Sequence, residues 1–125
     1  MERRKRKEEE MTYTEDEIIE HRKQWIFALR SGEYNQGILS LKNQNAFCCL
    51  GVACDISGLG EWSEHKDGDF SYIGEFCDLP VEVANFYGIS ISNNNFGTTY
   101  LAKLNDIDKY SFHQIADIIE MHTGI

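Results

Sequence analysis

The run Phe47-Cys48-Cys49-Leu50-Gly51-Val52-Ala53-Cys54-Asp55 constrains this chain more than any other feature, because eight uncharged, mostly apolar residues in succession must be removed from water. The core therefore passes through the middle of the sequence. From about Leu50 the residues Leu50, Ala53, Cys54 and Ile56 recur at helical spacing until Ser57-Gly58 ends the pattern. Ahead of it, Gly37-Ile38-Leu39-Ser40-Leu41 and Ala46-Phe47-Cys48-Cys49 flank the polar spacer Lys42-Asn43-Gln44-Asn45, which predicts a β-hairpin running almost directly into a helix.

Other helices announce themselves by their starts and stops. Thr14-Glu15-Asp16-Glu17 has capping-box spacing, and Ile18, Ile19, Trp25, Ile26 and Leu29, with the stem of Arg22, form an apolar face that ends at Ser31-Gly32. Leu79-Pro80 to Tyr87-Gly88 predicts a short helix with Pro in its first turn and Gly just past its end. Thr99 is a candidate cap for a helix carrying Tyr100, Leu101 and Leu104. Ser111 and Gln114 form a second capping box ahead of Ile115, Ile118, Ile119 and His122. Ile89-Ser90-Ile91 reads as an edge strand before an Asn93-Asn94-Asn95 turn, and residues 60–74, which lack either period, read as a surface loop with at most a short strand at its end. The predicted class is α+β: one small domain over residues 11–125, with several helices packed on a short antiparallel hairpin or sheet.

A length of 125 residues leaves room for one core. The net charge of -9 argues against direct nucleic-acid binding, which needs clustered Lys and Arg. The only basic cluster, Arg3-Arg4-Lys5-Arg6-Lys7, lies in a charged leader, residues 1–10, that has no apolar residue after Met1 and is expected to be disordered; Met11 is a second candidate start. Neither an apolar signal segment nor a membrane-length apolar run is present. These features predict a cytoplasmic protein with reduced thiols and no membrane association.

Cys48, Cys49, Cys54 and Cys77 are four soft ligands in number only: adjacent strand residues face opposite sides, and no C-x-x-C spacing occurs. A nucleophilic thiol needs a His within reach, and His21, His65, His113 and His122 stand in no recognisable context. Buried packing is the preferred reading, so no catalytic residue, metal site or cofactor is predicted. His113 and Asp117, four apart on the last helix, share a face that could bind a divalent ion or hold an acid–base pair, and the preferred reading is a first-turn His on a solvated face. Residues 30–37 are more suggestive: Arg30, Tyr34 and Gln36 sit at the junction of helix and hairpin, suited to a ligand rich in heteroatoms or to a rigid turn. Arg22 can add positive charge, and Asn105 with Asp106 can bind a ligand or close a turn. Trp62, Phe70 and Tyr72 form either a lid or partner-binding patch or a loop folded back on the domain.

The segments containing Ala28-Leu29-Arg30-Ser31-Gly32-Glu33-Tyr34-Asn35-Gln36-Gly37, Phe47 to Asp55, Leu79-Pro80, Leu104-Asn105-Asp106, Ser111-Phe112 and Ile115-Ala116-Asp117, in that order, resemble small, largely uncharacterised proteins of bacteriophages and prophages. The leader lies outside the pattern. The resemblance implies an accessory factor that counters a host defence. The expected function is sequestration of a small nucleotide-derived immune signal at Arg22, Arg30, Tyr34, Gln36, Asn105 and Asp106. Two alternatives remain open: an acidic interaction module that inhibits a host protein, and a thiol- or metal-dependent enzyme. A homo-oligomer is compatible with each.

Overall fold

A computed structural model describes residues 12–90 and 96–125, so the expected disordered leader and the Asn93-Asn94-Asn95 turn lie outside the described residues. Five α-helices, α1 (Glu15–Arg30), α2 (Cys49–Ser57), α3 (Val81–Tyr87), α4 (Thr98–Asp106) and α5 (Phe112–Thr123), accompany five short strands. The strands are β1 (Asn35–Gln36), β2 (Lys42–Asn43), β3 (Ala46–Phe47), β4 (Trp62–Glu64) and β5 (Asp69–Tyr72). They form one mixed sheet in the order β1-β3-β2-β5-β4, with β1 parallel to β3 and the other pairs antiparallel. The class is α+β, as the periodicities predict.

Helix α2 is the centre of the molecule. Every residue from Cys49 to Cys54 is buried, and α1, α3 and α4 all pack on it. Gly51 has to be glycine for a steric reason, since a Cβ there would lie 1.8 Å from the carbonyl oxygen of Leu41. Trp25 of α1, fully buried, donates its indole N–H to the Cys49 carbonyl at 3.1 Å. Both capping boxes form as the spacing predicts, at Thr14/Glu17 and Ser111/Gln114.

The hairpin lies one step further along the chain than its apolar content suggests. Lys42-Asn43, expected in the turn, is strand β2, and the turn is Gln44-Asn45, with Gln44 at φ 54° and its N–H donated to Gly68 O at 2.8 Å. Residues 37–41, expected as a strand, are loop: Gly37 O and Leu39 N go to the Asn105 and Asp106 side chains of α4, Leu39 O to the Cys77 thiol and Leu41 N to Phe76 O. Cys48 and Cys49 are not strand either: Cys48 caps α2, its Sγ accepting from Gly51 N at 3.4 Å, and Cys49 opens the helix.

Residues 60–74 are more ordered than expected. Trp62-Ser63-Glu64 and Phe70-Ser71-Tyr72 pair as a hairpin that joins the sheet through β5, burying Tyr72 fully and Trp62 and Phe70 in part. Pro80 is the N-cap of α3, one position before the expected first turn. Gly97 takes the place expected of Thr99 at the start of α4. Ser90 makes an isolated bridge to Gly97, while Ile91 lies outside the described residues. No helix among the described residues is long and apolar enough to cross a membrane.

Candidate functional site

The six residues expected to bind a ligand occupy four places. Arg22 donates from Nε to Tyr87 O at 2.7 Å and from Nη2 to Gly88 O at 2.9 Å, satisfying the C-terminal carbonyls of α3. Burial pushes its pKa below the ordinary guanidinium value. Arg30 is held across α5 by Glu120 at 3.2 Å and by Asp117, and hydrogen bonds to those two carboxylates push its pKa up. Asp117 therefore faces Arg30 and is not committed to a pair with His113. Both guanidiniums expected to supply local positive charge are thus occupied within the chain.

Tyr34 donates to Asp55 Oδ2 at 2.6 Å, while the Trp62 indole donates to Asp55 Oδ1 at 3.0 Å. Burial, followed by that carboxylate, pushes the phenol well above its usual range. Tyr34 also borders a mostly apolar groove of about 490 Å³ between α1 and α2, where Phe27 is 63% exposed.

Gln36, Asn105 and Asp106 do come together. Asn105 is fully buried; its Nδ2 donates to Gly37 O and Asp106 Oδ1, each at 2.8 Å, and its Oδ1 accepts from Cys49 N at 3.2 Å and Gln36 Nε2 at 2.9 Å. A backbone N–H on one side and a carbonyl on the other fix the orientation of the amide. Gln36 also donates to Tyr110 O at 2.8 Å and accepts from Phe112 N at 3.1 Å, tying β1 to α5. Asp106 Oδ1 accepts from Leu39 N at 3.0 Å. From the other side, the Cys77 thiol donates to Leu39 O at 3.2 Å. Among the described residues no buried side-chain nitrogen or oxygen lacks a partner.

The network pins residues 37–40 so that Ile38 and Leu39 point outward. Leu39 is 65% exposed and adopts φ 70°, a left-handed conformation that a side chain with Cβ normally avoids. This loop walls a polar groove of about 610 Å³ on the sheet face that carries Asn35, Asn43 and Asp69. Asp69 Oδ1 accepts from Ser40 Oγ at 3.1 Å and Asn43 Nδ2 at 2.8 Å, and Oδ2 has no partner among the described residues. Gln36, Asn105 and Asp106 shape this groove from behind without lining it. Asn43 and Asp69 lacked any signal in the sequence, since Asn43 reads as a turn residue and Asp69 as part of a loop.

Of the four thiols, only that of Cys77 touches the groove-walling loop. Burial pushes the Cys48 thiol up to about 12 and the Cys49 and Cys54 thiols up as well, which suppresses thiolate. Cys77 is exposed, and no His hydrogen-bonds to any of the four. Among the described residues no group of three His, Cys, Asp or Glu side chains is placed to hold a metal ion.

A family model for a domain of unknown function, DUF8296, matches residues 17–123. The chain belongs to that family. Its matched span holds the whole Gln36-Asn105-Asp106 network, the pinned loop and both grooves. No curated protein and no solved structure matches the chain.

Proposed function

We propose that this DUF8296 protein binds a small nucleoside-like molecule non-covalently in the polar groove walled by the 37–40 loop. The carrying observation is the loop itself. Donation from Asn105 to Gly37 O and from Cys77 to Leu39 O, with Asp106 accepting from Leu39 N and Gln36 bracing Asn105, over-determines a strained turn beside a concave, amide-rich surface. Strain retained against relaxation in this way is characteristic of ligand and partner sites. The groove falls within the usual volume range for small-molecule sites. Asn35 and Asn45 offer paired donors and acceptors, Asn43 offers its Oδ1 as an acceptor because its Nδ2 is donated to Asp67 O and Asp69 Oδ1, the second Asp69 oxygen suits a hydroxyl pair such as that of a ribose, and Ile38 and Leu39 suit its apolar side. Asp69 repels phosphate, so the base or sugar enters and any phosphate remains at the mouth. Through the phage resemblance, the same reading extends to an accessory factor that withdraws a nucleotide-derived signal from a host defence.

Isothermal titration with ADP-ribose and adenosine tests the proposal. Both are expected to bind, and Asn43→Ala is expected to weaken both about tenfold, the effect of one or two lost hydrogen bonds. Absence of heat with either molecule, or undiminished binding by a folded Asn43→Ala variant, overturns it. A second reading, an interaction module directed at a host protein, is favoured by the outward Ile38 and Leu39 and by the net charge of -9. A partner retained by the wild type and by Asn43→Ala, but lost with Leu39→Asp, selects that reading.

A further inference from the structure

Successive strand residues face opposite sides of a sheet, so Lys42 projects away from the groove that Asn43 enters. Its partners across the sheet are Phe47 on β3 and Phe70 on β5, and Trp62 lies two residues from Glu64, which pairs with Phe70. Trp62 meets the other two rings edge-on, its centroid 5.9 Å from that of Phe47 and 6.5 Å from that of Phe70. The Lys42 ammonium lies 4.3 Å from the Phe70 centroid, 5.2 Å from that of Phe47 and 5.5 Å from that of Trp62. Ring quadrupoles hold the cation there.

They do not satisfy its hydrogen-bonding capacity. Lysine offers three N–H donors, and none has an acceptor among the described residues. Arg22, Arg30 and Lys103 each bind a carbonyl or carboxylate, and of the lysines without an acceptor among the described residues only Lys42 has aromatic rings around its ammonium. Glu64 shares the face of Lys42 but makes no ion pair with it, and Asp55 is taken up by the Trp62 indole and the Tyr34 hydroxyl. Lys42 is half-buried as a residue, and the rings beside its ammonium supply no acceptor. All three rings are themselves only half-buried and present apolar surface beside the ammonium.

We propose that Lys42, Phe47, Trp62 and Phe70 form a second binding site, separate from the polar groove, for an oxyanion carried on a planar ring. The oxyanion, a phosphate or carboxylate, accepts the open N–H donors of Lys42, and the ring lies against Trp62 and Phe70. Neither part suffices alone: a bare anion remains better hydrated in solution beside Asp55 and Glu64, and a neutral ring leaves the ammonium without an acceptor.

Phenyl phosphate, inorganic phosphate and benzyl alcohol separate the two contributions, read by nuclear magnetic resonance at the Lys42 ε-methylene and the Trp62 indole N–H. Phenyl phosphate is expected to shift both signals saturably and to bind at least about tenfold more tightly than either other probe, the effect of one charge-assisted hydrogen bond or one stacked ring. Lys42→Met is expected to remove the phenyl phosphate response and Lys42→Arg to retain it, while Asn43→Ala leaves it unchanged. If Lys42→Met does not fold, Lys42→Gln serves in its place. Inorganic phosphate binding as tightly as phenyl phosphate, no Lys42 shift at about a hundred times a micromolar-range Kd, or full binding by a folded Lys42→Met or Lys42→Gln variant overturns the proposal. Failure of ADP-ribose and adenosine to enter the groove on the other face leaves these outcomes unaffected.

Discussion

The two ends of the Leu39-Ser40-Leu41 stretch differ sharply over three residues. Leu41 is fully buried, with its carbonyl against the Cα of Gly51 and accepting from Cys48 N, whereas Leu39 is 65% exposed in a left-handed conformation. Both are leucines in one apolar run, and hydrophobicity treats them alike. The difference arises from what meets the backbone. At Leu41 a glycine lets α2 close onto the chain, while at Leu39 a carboxylate and a thiol grip the main chain and leave the side chain outside. One end belongs to the core, and the other is held in place by it.

Gly51→Ala is the strongest way to break that comparison. An added Cβ 1.8 Å from an oxygen cannot be accommodated without moving α2, so a loss of at least about 3 kcal/mol is expected, read as a lower urea midpoint. Asn105→Ala is next. It strands Cys49 N and Gly37 O and releases Gln36, for an expected loss of about 2–4 kcal/mol, with faster amide exchange at Leu39 than at Leu41. Equal exchange at the two positions would mean that the network does not distinguish the ends. Leu39→Gly sharpens the contrast from the other side: relief of the left-handed strain offsets the entropy of an added glycine, so stability is expected to stay within about 0.5 kcal/mol of the wild type. A loss as large as that at Gly51 would show Leu39 to be a core residue.

What could be read from the chain follows the range of the forces involved. The capping boxes at Thr14 and Ser111 and the stops at Gly58 and Gly88 act within one helical turn, and the structure places them as predicted. The parallel pairing of Asn35-Gln36 with Ala46-Phe47 and the β4–β5 hairpin depend on partners distant in sequence or on strands too short to show a period. The candidate site shows the same division. Gln36, Asn105 and Asp106 stand out as polar residues in suggestive contexts, and they do converge, but on backbone groups of a loop and not on open space. Arg22 and Arg30 stand out as cations, yet their partners lie on α3 and α5, more than sixty residues away. Lys42 reads as an ordinary turn residue because the rings around it come from three different strands.

The sheet ends at β1 on one side and β4 on the other, edges of two and three residues. So brief a row of open amides and carbonyls offers little template for another chain, and Glu64 adds a charge to the β4 edge. A polypeptide whose central run is as sticky as Phe47 to Cys54 thus folds with that run enclosed and with few strand ends on which fibrils or mispaired aggregates could grow, a condition suited to accumulation at high concentration.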